Sequence, residues 1–379
     1  MSTSTAPPIP PSTLTLLHIP ATGALTLTPH PTPTPSSTQH LLSTAATSLT
    51  RDELTWAEPL SATPSPIPGY AFAGTILTSP QPAPFPSLDD ETDYTPTPLL
   101  PPSRARRAST SSLSAPHARA FVYGTRVYGL TAFSRPGCAR GMAVAEASEC
   151  ARMPANLTYE EAAAVPMGAL SAWQGLFERG GLEVPDEEYW ETEGEGRGGE
   201  EGRIEAGEAP RRAPSTGKRV LVTGAAGQVG VWAVQLAAWA GATVVGVCGA
   251  GNADFVRELG ADEVINYKTT SVGRWVGEGE GRKFDLVLDT VGGDLVPDLK
   301  AAVREGGRLV TIAAPVEGLP DAYFIVRPDG GILEGVTRLI ERGLVRPVVD
   351  SVWGLGDWKR AFEKVESGHS RGAVVVKIE

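Results

Sequence analysis

The run RVLVTGAAGQVG, from Arg219 to Gly230, constrains this chain more than any other stretch. It reads as an apolar strand, a glycine turn and the start of a helix. Behind it come an apolar-faced helix (VWAVQLAAWAGA), a strand (TVVGVCGAG), a short helix (ADFVRELGA) and three more strands in DEVINY, FDLVLDTVGG and GRLVTIAAP. Strands alternating with helices require a parallel sheet covered by helices on both faces. Gly224, Gly227 and Gly230 stand at G-x-x-G-x-x-G spacing, with Ala226 at the middle site of the commoner G-x-G-x-x-G. Ala226 is small enough to keep the backbone close to a pyrophosphate. Gly227 is expected to supply the positive φ of the turn, and Gly230 to let the helix sit against the strand. The helix start then offers free N–H groups and a positive dipole end to an anion, which is how a dinucleotide is held in this context.

The first third of the chain is built differently. Of the 33 prolines, 22 fall within residues 1–120. Helices tolerate few internal prolines, so this region must be strands, turns and loops. Leu14 to Ile19, Ala24 to Thr28, His40 to Ala46 and Tyr70 to Leu77 read as strands between turn residues. Residues 79–119, rich in Pro, Ser, Thr and Ala, cannot bury enough apolar surface to offset their ordering entropy and read as a disordered insertion. Residues 183–217 read the same way: eleven acids and four arginines give them net −7 of the chain's −11. The RRAS at Arg106 to Ser109 has the form of a basophilic kinase site, a pattern that arises easily by chance. At the C-terminus, ILEGVTRLIERG and VVDSVWGLGDWKRAFEKVESGH read as two helices and AVVVKIE as a closing strand.

Charge and cysteine content narrow the function. A net charge of −11 over 379 residues argues against a nucleic-acid partner, which needs a basic face. Three cysteines exclude a disulfide scaffold. No apolar run reaches membrane length, because residues 231–250 are broken by Gln235, Gly241 and Thr243. The N-terminal MSTSTAPPIPP has no basic start and the first arginine is Arg51, so neither a secretory nor a mitochondrial signal is expected, and a cytoplasmic location is.

Cofactor choice follows from the end of the second strand of the series. A site for NAD places Asp or Glu there to hold the ribose hydroxyls, but Val247, Cys248, Gly249, Ala250, Gly251 and Asn252 include no acid. The repulsion against a 2′-phosphate is thereby removed. Tyr267 and Lys268, just past the third strand, could supply a hydroxyl donor and a charge, so NADPH is the expected cofactor.

Taken with AAAVPMGALSAWQGLF (162–177), LGADEVINY (259–267), DTVGG (289–293), PDGGILEGVTRLIERGLVRPVVD and SGHSRG, these motifs resemble the medium-chain dehydrogenase/reductase superfamily. The resemblance is to its zinc-independent quinone oxidoreductase and enoyl reductase branch. It implies a GroES-like β-barrel domain at 1–160, a Rossmann domain at 161–325 and a return to the barrel at 326–379, often in a homodimer. It also implies that Ser171 stands beside the nicotinamide. Ala226, Gly227, Gln228 and Val229 would form the pyrophosphate loop, and Tyr267 would contact the adenosine phosphate. Val291 and Gly292, with Ala313 and Ala314, would lie over the nicotinamide ring. Zinc-dependent relatives carry G-H-E where this chain has Gly69, Tyr70 and Ala71, and the cysteines and histidines show no ligand spacing, so no metal is expected. Two stretches depart from the branch. SLTRDEL puts Thr50 and Glu53 where relatives have Asn and Asp in the substrate cleft, and Gly372-Ala373 replaces a Gly-Lys.

Without a Lewis acid to ionise an alcohol, the expected reaction is hydride transfer from NADPH to an enone, enoyl thioester or quinone. The developing enolate oxygen needs hydrogen-bond donors, and Tyr70 and Tyr128 are the candidates. Two alternatives stay open: a trans-acting enoyl reductase of a polyketide pathway, and a non-catalytic NADPH-binding protein.

Overall fold

A computed structural model of the chain describes residues 8–19, 22–56, 67–80, 121–186, 213–279 and 281–378. Most of both expected insertions, and the whole RRAS site, lie outside the described residues. The edges of each insertion are ordered. Ser79 joins His40 Nδ1 at 3.0 Å. The Glu183 N–H donates to Ser215 Oγ at 3.3 Å, so the acidic segment leaves and re-enters at neighbouring points.

The N-terminal half is β: β1 (Ser12–Ile19), β2 (Ala24–Pro31), β3 (Gln39–Leu49), β4 (Ala71–Thr78), β5 (Arg126–Leu130), β6 (Met142–Glu146) and β7 (Cys150–Arg152). Helices α1 (Tyr159–Ala163) and α2 (Pro166–Trp173) follow, the latter running into a π turn at Gln174–Arg179. The alternating series is β8 (Arg219–Val222), α3 (Gly230–Trp239), β9 (Thr243–Cys248), α4 (Ala253–Glu258), β10 (Glu263–Asn266), α5 (Val272–Gly277), β11 (Phe284–Asp289), α6 (Val296–Ala302) and β12 (Val303–Thr311). The chain closes with α7 (Gly330–Glu341), β13 (Val349–Gly354), α8 (Trp358–Glu366) and β14 (Ala373–Lys377).

The alternating series forms a five-stranded parallel sheet in the order β10-β9-β8-β11-β12. Side chains alternate across it as strand geometry requires. Val220, Val222, Leu286 and Leu288 face one apolar cluster with α3, while Leu221, Val245 and Val287 face another with Leu299 and Ala302 of α6. α3 is buried almost all round, which explains a helix with so little polar sequence.

The second large sheet has the order β13-β14-β3-β4-β5-β7, with β6 also on β3, and the β1–β2 hairpin beside it. Its two C-terminal strands join N-terminal ones: β14 runs antiparallel to β3, pairing Val374 with Leu49. The fold is therefore a Rossmann-type sheet and a GroES-like β unit that the C-terminus completes. One expectation fails here. VDSVWG is strand β13 and the helix begins only at Trp358, because this stretch pairs with β14. The two sheets also share one core. A single cluster runs from Ala46, Tyr70 and Tyr128 through Leu170 and Trp232 to Leu333. Each large side chain buried there contributes roughly 1.5–3 kcal/mol, so the cleft between the sheets has packed walls.

Candidate functional site

β8 and β11 are neighbours, yet the chain leaves β8 toward β9 on one side and leaves β11 toward β12 on the other. The loops after them diverge and open a crevice at the carboxyl ends of the strands, the place where such sheets bind ligands. The turn after β8 lies in that crevice. Its positive φ belongs to Gly224, at 58°, and not to Gly227 as the sequence suggested. The chain must reverse at once beneath Thr290, whose Oγ1 would stand 2.4 Å from a Cβ on Gly224. Gly230 behaves as expected: a Cβ there would meet Gly224 O at 2.1 Å, so the helix start rests directly on the turn. Gly224, Ala226, Gly227, Gln228 and Val229 thus form a backbone cradle at a helix N-terminus, where N–H groups and the helix dipole suit an anion such as a pyrophosphate.

At the end of β9, Cys248 pairs in register with Asn266 and is buried. Burial pushes its thiol above the usual range, only partly countered by Arg257, so it is packing rather than an anion. Tyr267 is 55% exposed, and its ring lies within 3.7 Å of where a Cβ on Gly249 would be. Lys268 is exposed beside it, with its N–H on Asn266 Oδ1 at 3.1 Å. The structure adds Arg371, which the sequence reading did not single out. Its Nε donates to Asn252 Oδ1 at 2.6 Å and its Nη2 to Gly251 O at 2.7 Å, over the ring of Phe255. The tail is fixed there because the Gly372 N–H donates to Ala226 O at 2.9 Å. The SGHSRG motif was the available signal, but a return across about 120 residues cannot be read from spacing.

At the other end, Ser171 is buried and its hydroxyl donates to Met167 O at 2.7 Å. Val291 is exposed at the crevice, Gly292 is buried behind it, and Ala313 and Ala314 are exposed. Across the crevice, Gln228 Nε2 donates to Ser48 Oγ at 3.4 Å. Ser48 is the register partner of Ala71, the residue after Tyr70, and Tyr70 itself is only 5% exposed. Tyr70 stacks on Trp56 with centroids 5.8 Å apart and meets Phe133 edge-on at 5.0 Å. Glu53, expected in the substrate cleft, is buried instead. It accepts the N–H of Gly69 at 3.0 Å and of Thr50 at 2.8 Å. Burial raises its pKa to about 8, against the pull of those two N–H groups and with a push from Glu366.

Tyr128 is a correction. It is fully buried, its hydroxyl donates to Leu333 O at 2.7 Å and shares a hydrogen bond with Thr337 Oγ1 at 2.9 Å, and it ties β5 to α7. It does not face a cleft.

Among the described residues, no three His, Cys, Asp or Glu side chains come together as a metal-binding group. Cys138 and Cys150 are buried in an apolar cluster with Phe72 and Ile76, their thiols held protonated by burial. The described cysteines are therefore packing groups, not a zinc-ligand set. No helix among the described residues is long and apolar enough to cross a membrane.

Residues 259–376 match the family model described as zinc-binding dehydrogenase. A probable zinc-binding oxidoreductase, mitochondrial, from Arthroderma benhamiae is 37% identical over 374 residues, covering 95% of each chain. A mitochondrial NAD(P)H oxidoreductase from Danio rerio is 29% identical over 289 residues, covering 68% of this chain and 67% of its own. Among solved structures, the quinone oxidoreductase from Coxiella burnetii superposes with a TM-score of 0.68 at 20% identity, covering 97% of this chain and all of that one. The relatives' names overturn the cytoplasmic location expected from the N-terminus: both are mitochondrial, which points to an organelle. The missing basic start and the late first arginine had been taken for an address.

Proposed function

The chain belongs to the medium-chain dehydrogenase/reductase superfamily, in its quinone oxidoreductase branch, and from that premise we propose that it transfers hydride from NADPH to an activated carbon–carbon double bond or a quinone, without zinc. Relatives named as oxidoreductases, one of them an NAD(P)H enzyme, support a nicotinamide-dependent oxidoreductase acting on a small molecule. The observation that carries the finer reading is the pairing across the crevice. A dinucleotide cradle stands on one wall, and Gly69-Tyr70-Ala71 replaces a metal-ligand motif on the other.

When bound, the nicotinamide supplies the hydride. The Ala226–Val229 backbone would hold the pyrophosphate, and Ser171, Val291, Gly292, Ala313 and Ala314 would flank the ring. Arg371, Asn252, Tyr267 and Lys268 surround the acid-free end of β9 and favour a 2′-phosphate, hence NADPH over NADH. Tyr70 is the remaining candidate to donate to the oxygen that gains charge on the acceptor. Residues 1–160 with 326–379 would shape the acceptor site and 161–325 would hold the cofactor, in a homodimer as the family commonly forms.

The test is NADPH oxidation with an o-quinone and with a 2-alkenal, each with and without a chelator. Oxidation of NADPH that survives chelation is expected. Loss of activity on chelation, or NADPH binding without oxidation by either acceptor, overturns the proposal, and the latter favours a non-catalytic binding protein.

A further inference from the structure

At the carboxyl end of the parallel sheet, one buried side chain gathers the loops of three adjacent strands. Asp289, the last residue of β11, is 1% exposed. Its Oδ1 accepts Thr223 Oγ1 at 2.7 Å, the Val291 N–H at 3.0 Å and the Gly292 N–H at 3.1 Å. Its Oδ2 accepts Thr311 Oγ1 at 2.8 Å and shares the Gly292 N–H at 3.1 Å. The hydroxyls pass the connection on. Thr223 Oγ1 accepts the Thr290 N–H at 2.8 Å, and Thr311 Oγ1 accepts the Ala313 N–H at 3.1 Å. Thr223 directly precedes the cradle and Thr311 ends β12, so the loops after β8, β11 and β12 are all wired to one carboxylate. The last two loops also touch: Gly292 has φ 70° and a Cβ there would stand 2.8 Å from that of Ala313.

We propose that Asp289 is the positioning residue of hydride transfer, fixing Val291–Gly292 and Ala313–Ala314 in one register so that the nicotinamide ring is held at the acceptor rather than merely bound. The inference rests on the reading that these two loops flank the ring. An acceptor-only group is required, because all four donors converge on it and a carboxylate alone has lone pairs for each. A single fixed anchor gives both loops one orientation, and orientation, unlike affinity, enters the rate of the chemical step. The pyrophosphate cradle keeps its own contacts, such as the Gly227 N–H to Gly224 O at 2.8 Å, so affinity should survive loss of the anchor.

The experiment compares wild type with Asp289→Asn and Thr311→Val. It measures thermal unfolding, NADPH affinity, the fluorescence anisotropy of bound NADPH, and single-turnover oxidation by the better of the two acceptors. Asp289→Asn should bind NADPH within a few-fold of wild type, hold the ring more loosely, and oxidise it about tenfold or more slowly, the scale of a sub-ångström misplacement. Thr311→Val should show the same pattern in weaker form. Wild-type oxidation by cofactor-loaded, folded Asp289→Asn, or wild-type anisotropy in both variants, overturns the proposal. Should Asp289→Asn fail to fold, Thr311→Val decides by the same criteria. If wild type holds NADPH rigidly but reduces neither acceptor, the functional reading has failed while the anisotropy still tests Asp289.

Discussion

A tyrosine hydroxyl can serve a reaction only where its own protein contacts leave it facing the substrate. Tyr128 spends its hydroxyl on Leu333 O and Thr337 Oγ1, in a core that neither solvent nor substrate reaches. Tyr128→Phe should therefore cost about 1–2 kcal/mol of stability, read from denaturant unfolding, with kcat unchanged; a large fall in kcat at equal stability would restore it to the site. Arg371 is the converse case, an exposed cation held at the end of β9. Arg371→Ala should weaken NADPH about 10- to 100-fold and leave NADH nearly untouched, as calorimetric titration with both nucleotides would show. Equal losses would mean that the residue only braces the fold. Glu53 gives a pH prediction. Its pKa rises from 4.5 to about 8 on folding, so the folded state holds the extra proton. The stability this gives is complete below about pH 4.5 and is lost as the pH rises through about 8. Wild type should lose melting temperature relative to Glu53→Gln between about pH 5 and pH 9, and a constant difference would contradict the assignment.

At the scale of elements, the sequence was most legible where local and long-range demands agree. The strand, turn and helix of residues 219–239 satisfy propensity, apolar pattern and glycine spacing together. Gly230→Ala should accordingly disrupt the cradle, since the added Cβ meets backbone at 2.1 Å. Soluble protein with much weaker binding of both nucleotides is the expected result, and unchanged affinity would show that the turn is not the pyrophosphate site. Legibility failed where a partner distant in sequence decides the outcome. β13 looked helical because its stabilising neighbour, β14, lies beyond an intervening helix. The positive φ was given to the middle glycine because nothing local shows Thr290 overhanging Gly224. Arg371 and the burial of Glu53 were hidden for the same reason.

At the scale of the whole molecule, the two sheets are joined by one apolar cluster and by the C-terminal return, in which β14 lies on β3 while Gly372 lies on the cradle. The walls proposed to hold cofactor and acceptor are thus parts of one packed body, with no group of three metal-binding side chains among the described residues. Such an arrangement predicts direct transfer from cofactor to acceptor inside the crevice. The decisive measurement is a single turnover with NADPH deuterated at the transferring position of C4 and a 2-alkenal as acceptor, followed by mass analysis of the product. Oxidation slowed by the label, with deuterium recovered on the carbon β to the carbonyl and a solvent proton on the α-carbon, is the predicted result. Oxidised cofactor without deuterium in the product would contradict it.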